Sequence, residues 1–144
     1  MFRKINDAFY ASPQIDTAQV AEAKNLGVGL IINNRPESES DDQTPGAQIE
    51  AAAKAADIGY VAIPVTHAGF SAPQVDAMRA ALDQAGGKPV LAYCRSGTRS
   101  TLLWALAEAR AGRNPEELAA SAANAGYDLA PIRALLDSLA AGAQ

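Results

Sequence analysis

Hydrophobic and polar positions along this chain switch between two rhythms. Four short apolar stretches, "AFYAS" (8–12), "VGLIIN" (28–33), "YVAIPV" (60–65) and "PVLAY" (89–93), have the length of strands. The second is apolar throughout, as expected for a strand covered on both faces. Between and after them the apolar spacing becomes helical. Asp16 or Thr17 is placed to cap a helix through Asn25, with Val20, Ala23 and Leu26 on one side and Gly27 ending it. A second helix is expected over 46–57, with Ile49, Ala52, Ala53 and Ala56 inward and Gly59 just past its end. A third runs from a Ser71 cap to Ala85 with Val75, Met78 and Leu82 in step, stopped by Gly86 and Gly87.

The stretch from Ser100 to Ala111 carries Leu102, Leu103, Trp104 and Leu106 on more than one face, which predicts a central, buried helix. Asn114 and Pro115 read as the cap and first turn of another, with Glu116 and Glu117 near its positive end. A last helix starts near Pro131. Alternating strands and helices imply an α/β fold with a mainly parallel central sheet flanked by helices. Ligands in such sheets bind beyond the carboxyl ends of the strands. Three polar clusters fall there: Asn33-Asn34-Arg35, Thr66-His67, and Cys94 to Arg99.

Composition narrows this picture. A chain of 144 residues, 49% apolar and 19% charged, fits one domain over 1–144 with a real core. A net charge of −4 argues against nucleic-acid or membrane-surface partners. The opening "MFRKINDAFY" has two cations but no apolar run behind them, so a signal peptide is not expected. No stretch approaches the roughly 20 apolar residues that span a bilayer. One cysteine gives neither an internal disulfide nor a thiolate-rich metal site, and a reducing, cytoplasmic location is the economical expectation. No metal site and no cofactor are implied. Oligomeric state is not written in the pattern.

The chemistry concentrates in "CRSGTRS". Cys94, Arg95, Ser96, Gly97, Thr98 and Arg99 join a strand to a helix. Gly97 permits a left-handed turn that curls successive amides into an anion-binding nest. The helix that follows aims its positive end at the same point. Amides, dipole and Arg99 would all favour the thiolate of Cys94 over the thiol, making it a nucleophile inside a cradle for an incoming anion. Ser100 is placed to donate to the sulfur. A lone cysteine is often only a small core residue, but two flanking arginines and a glycine turn at a strand–helix junction favour function.

"YCRSGTRS", preceded by "IINNRPESE" and "YVAIPVTHAG", resembles the bacterial family of beta-lactamase hydrolase-like proteins, phosphatase-like domain. The resemblance runs from about Phe9 to Leu129 and implies the protein tyrosine/dual-specificity phosphatase fold. It also implies Cys94 as nucleophile, Arg99 as the arginine that clamps the anion, and Arg35 at the rim of the pocket. Two departures stand out. Cysteine phosphatases of that fold place five residues between cysteine and arginine, usually after a histidine, whereas here four intervene and Tyr93 precedes the cysteine. The shorter loop resembles that of rhodaneses, which carry a sulfane sulfur on cysteine. Dual-specificity phosphatases also keep an aspartate on the loop corresponding to "PVTHAGFSAP", and here that loop has no carboxylate. His67, the only histidine, is the candidate substitute.

Protonating an alkoxide leaving group contributes about 10²–10⁴-fold, and sulfur transfer from thiosulfate or a persulfide does without it. The sequence therefore favours a rhodanese-like sulfurtransferase. A phosphatase working through phosphocysteine is the alternative, and a non-catalytic anion- or phosphopeptide-binding module the second alternative. The substrate expected is a small anion, persulfide or phosphoester. By analogy with fused relatives, association with a persulfide-oxidising enzyme is a further expectation. The run Glu37, Glu39, Asp41 and Asp42 reads as solvated surface, and Trp104 and Tyr93 as core.

Overall fold

The computed structural model describes residues 1–143. Five strands form one sheet in the order β1-β2-β5-β3-β4. They are β1 (Arg3–Asn6), β2 (Phe9–Ser12), β3 (Leu30–Asn33), β4 (Gly59–Ala62) and β5 (Val90–Tyr93). All neighbours pair in parallel except β1 with β2, an antiparallel hairpin at the edge. That hairpin turns at Asn6, whose side-chain oxygen accepts the Ala8 amide at 2.9 Å.

Period-two alternation assigns the sheet residues to two cores. Ile31, Leu91 and Tyr93 point to one face, where Val20 and Ala23 of α1 (Thr17–Asn25) and Ile49 and Ala53 of α2 (Gly46–Ala55) cover them. Leu30, Ile32, Val90 and Ala92 point to the other. There α4 (Thr98–Arg110) is wedged between the sheet and three further helices, α3 (Ala72–Gln84), α5 (Pro115–Asn124) and α6 (Arg133–Gly142). Every residue from Ser100 to Ala109 is buried, as the apolar faces of that segment predicted. Phe9 stacks on Trp104 with ring centroids 5.4 Å apart.

The expected caps are present. Asp16 accepts the Gln19 amide and Asn114 that of Glu116, while the Ser71 amide donates to the Gln74 side chain at 2.8 Å. The expected boundaries shift in four places. The edge strand β1 precedes the first strand anticipated from the pattern. Leu26, expected inward, is the residue that caps α1 and is 46% exposed. β4 ends at Ala62, two residues before Pro64, which has no amide for a ladder. α4 begins at Thr98 rather than Ser100, because Gly97 itself, at φ 93°, makes the turn into the helix. The carboxyl ends of β2, β3 and β5 thus lie side by side, and the polar segments that follow them meet.

Candidate active site

β5 delivers Cys94, fully buried, to the base of a loop that Gly97 bends back over it. The Gly97 amide donates to Cys94 Sγ at 3.1 Å. Glycine is required twice at position 97: its φ is left-handed, and a Cβ there would overlap the Tyr127 hydroxyl and come within 3.2 Å of the Ser12 carbonyl carbon. Neighbouring segments fix the rest of the loop. Cys94 N donates to Ser12 O and Gln14 N to Arg95 O, each at 3.3 Å. The Tyr127 hydroxyl donates to Ser96 O at 3.2 Å, and Ser96 Oγ donates to Thr98 Oγ1 at 3.0 Å. The Thr101 amide and hydroxyl both bind Gly97 O. Ser100 is buried, and its hydroxyl has no hydrogen-bond partner among the described residues. Arg95 is exposed at the mouth.

Arg99 turns inward from the first turn of α4. Its Nη1 donates to Val65 O at 2.6 Å and to Glu39 Oε2 at 2.8 Å, and Nη2 donates to Glu39 Oε1 at 2.7 Å. The guanidinium is pushed up chiefly by its hydrogen bonds to Glu39, against burial, and then by the nearby Cys94 sulfur. Glu39 also receives Arg35 Nε at 2.9 Å, so one carboxylate joins two guanidinium groups. This arrangement corrects two readings of the sequence. The 35–45 segment is not simply solvated surface: Glu39 is only 15% exposed, because Arg35, four residues before it, and Arg99, from the start of α4, draw it inward. Arg35 is not a free rim arginine either. It is 4% exposed, and its other nitrogens are taken by Gln14 Oε1 and Ser40 Oγ.

Neighbouring polar groups hold that segment in place. Glu37 accepts the Gly46 amide at 2.8 Å, Asn33 Oδ1 accepts the Arg35 amide, and Asn33 Nδ2 donates to Tyr60. Burial, with Tyr60 and Glu37 nearby, raises the Tyr93 hydroxyl, and Tyr93 lies in the core as expected. His67, by contrast, is exposed and makes no hydrogen bond with the described residues. Of the three polar clusters, two are joined through Glu39. Just before the third, Val65 supplies a backbone oxygen to Arg99, while the histidine of that cluster stays exposed. Glu39, Gln14, Tyr127 and the Val65 carbonyl were not anticipated from the sequence; only the arginines in "NNR" and "SGTR" hinted at a carboxylate partner.

The Glu39 bridge makes stability depend on pH. Its hydrogen bonds from Arg99, opposed by burial and reinforced by Arg35, hold the carboxyl at about 2 instead of 4.5. A depressed carboxyl stabilises the fold above its unfolded value, and this contribution is lost as pH falls from about 4.5 through about 2. Solvent access at the loop edge limits the contribution to about 2 kcal/mol. In urea titrations, Glu39→Gln is expected to be less stable than the parent by about this amount at pH 7. The gap should close near pH 2, and a gap independent of pH would contradict the bridge.

A buried thiol under a glycine-turned loop, at the carboxyl edge of a parallel sheet, defines an α/β domain built around a cysteine. A family model described as beta-lactamase hydrolase-like protein, phosphatase-like domain, matches residues 1–111. The chain belongs to that family. The beta-lactamase hydrolase-like protein of Xylella fastidiosa (strain Temecula1) is 32% identical over 126 residues, which cover 87% of this chain and 29% of the relative. That of Agrobacterium fabrum is 34% identical over 110 residues, covering 76% of this chain and 25% of the relative. The chain therefore spans under a third of the length of these curated relatives.

Among solved structures, a putative phosphatase (nma1982) from Neisseria meningitidis Z2491 matches with a TM-score of 0.82 at 36% identity, covering 95% of this chain and 96% of the other. A putative phosphatase from Shewanella putrefaciens CN-32 matches at 0.77 and 28% identity, over 98% and 91%. PTPMT1, at 0.74 and 16% identity over 99% and 98%, shares the fold. None of the relatives named here is called a sulfurtransferase, so the preference for sulfur transfer finds no support among them. No described helix is long and apolar enough to cross a membrane.

Proposed function

We propose that this domain is a cysteine-dependent phosphatase that hydrolyses phosphomonoesters through a phosphocysteine. The observation that carries the reading is the meeting of Cys94 Sγ, the Gly97 amide and the Arg99 guanidinium at the start of α4. Relatives called putative phosphatases at 36% and 28% identity support it. In this reading Cys94 is the nucleophile. The amides of Arg95 to Thr98, with the positive end of α4, receive the phosphoryl oxygens. Arg99 supplies charge to the transition state, where such groups act most strongly. Ser100, with a buried and unspent hydroxyl, donates to the sulfur as it leaves. Glu39 positions Arg99 from behind, and Arg35 holds Glu39.

Sulfur transfer is the second reading, favoured by two observations: four residues separate Cys94 from Arg99, and the 64–73 segment carries no carboxylate. One paired assay separates the two. The protein is incubated with p-nitrophenyl phosphate, following phosphate release, and separately with thiosulfate, following intact mass. Release of phosphate without a sulfur adduct is the expected result. A 32-Da adduct that moves to cyanide, without phosphate release, would replace the proposal with sulfur transfer. Inactivity in both would leave an anion-binding module.

A further inference from the structure

The surroundings of the loop bear on the kind of phosphoester that can be cleaved. Cleaving an alkyl phosphate requires a proton for the departing alkoxide, from a group that carries one at working pH and stands free near the loop. Of the four carboxylates in the 37–42 run, three are already used as hydrogen-bond acceptors, and the fourth, Asp41, is exposed. Glu39 receives Arg99 and Arg35 at 2.7–2.9 Å, and Glu37 receives the Gly46 amide. Asp42 receives the Ser40 hydroxyl at 2.6 Å. Across the mouth, the segment that begins with the Arg99-bound Val65 carbonyl runs to Pro73 without a carboxylate, and its histidine is exposed with no hydrogen bond to the described residues. Asp76, the next acid along the chain, lies within α3 and pairs with Arg110 at 2.7 Å.

Resting on the phosphatase reading, we infer that the site is specific for phosphoryl groups on leaving groups stable as anions: aryl, enol and acyl phosphates rather than the alkyl phosphates of serine, threonine or sugar alcohols. Cys94 Sγ attacks phosphorus as a thiolate, and the S–P bond forms while the P–O bond breaks. The oxygen departs with the bonding pair as a carboxylate, phenolate or enolate, each far less basic than an alkoxide and so far less dependent on a proton in the transition state. Water then attacks the phosphocysteine. The S–P bond breaks, the thiolate leaves with its pair, and the proton from water ends on the released phosphate. Both steps suit a loose transition state, in which positioning and charge do most of the work.

The test is a leaving-group series at constant pH: p-nitrophenyl phosphate, phenyl phosphate, tyrosine phosphate and serine phosphate. The parent is run beside Cys94→Ser, His67→Asn and the double variant Asp41→Asn/Asp42→Asn. In the parent, kcat/KM is expected to fall continuously as the leaving group becomes more basic, with serine phosphate about 10²–10⁴-fold or more below the aryl esters. His67→Asn and the double aspartate variant should keep the same slope. A parent that cleaves serine phosphate within tenfold of phenyl phosphate, with Cys94→Ser inactive, would overturn the inference and leave the phosphatase reading standing. Selective loss of activity on poor leaving groups in either control variant would overturn it too, by identifying an acid. If no ester is hydrolysed, or if Cys94→Ser is as active as the parent, the phosphatase reading falls and the inference falls with it.

Discussion

Cys94→Ser is expected to lower turnover by on the order of 10⁴-fold or more while phosphate still binds. The variant removes one property, the nucleophilic sulfur, since a serine hydroxyl is a weak nucleophile without a base beside it. The binding elements remain: a serine Oγ can accept the Gly97 amide in place of Sγ, and Arg99 is held by Glu39 and the Val65 carbonyl. Titration calorimetry with inorganic phosphate should give a dissociation constant within about threefold of the parent, while initial-rate assays fall to background. A serine variant within tenfold of the parent's kcat would remove the thiol from the chemistry. Concerted loss of binding and turnover would show that the sulfur holds the loop in shape rather than reacting.

Gly97→Ala is expected to have the largest effect on the fold of any single methyl addition near the site. Alanine at φ 93° lies in the left-handed region, which costs about 1–2 kcal/mol. The added carbon also displaces Tyr127, whose hydroxyl bond to Ser96 O contributes about 1 kcal/mol. Backbone atoms of Ser12 stand close behind and leave little room for relief. The sum, about 2–3 kcal/mol, is a large share of the 5–15 kcal/mol that stabilises a typical domain. Thermal unfolding should shift down by on the order of 10 °C, and the loss of the Gly97 amide from its place under Cys94 should lower kcat/KM as well. A shift under 2 °C would mean that the loop relaxes freely. Tyr127→Phe, which keeps the ring and loses only the hydroxyl bond, separates the two contributions.

Much of the architecture could be read from the chain because its local signals agree with one another. Asp16, Ser71 and Asn114 cap their helices where side-chain chemistry predicts, and the apolar runs at 28–33 and 89–93 lie at the centre of the sheet. The cysteine loop was legible for the same reason: glycine, strand end and helix start are all local. What escaped was set by distance. Glu39 looks like one acid in a solvated run until the fold brings Arg99, 60 residues away, against it. Gln14 and the Val65 carbonyl are likewise ordinary in sequence and become relevant only where three strand ends meet. β1 was missed because only Ile5 of its four residues is buried, which is too weak a pattern to see.

Tyr127 lies sixteen positions beyond the last residue of the family match, in the turn after α5. Its ring lies beneath Arg3, whose guanidinium carbon is 5.3 Å from the ring centroid, and its hydroxyl reaches the peptide next to Gly97. The amino-terminal strand, the carboxyl-terminal helices and the thiol cradle are therefore mechanically joined through one phenol. Trimming the chain to the stretch that carries its signature would leave every reacting atom in place on paper and remove the strut that keeps them in register.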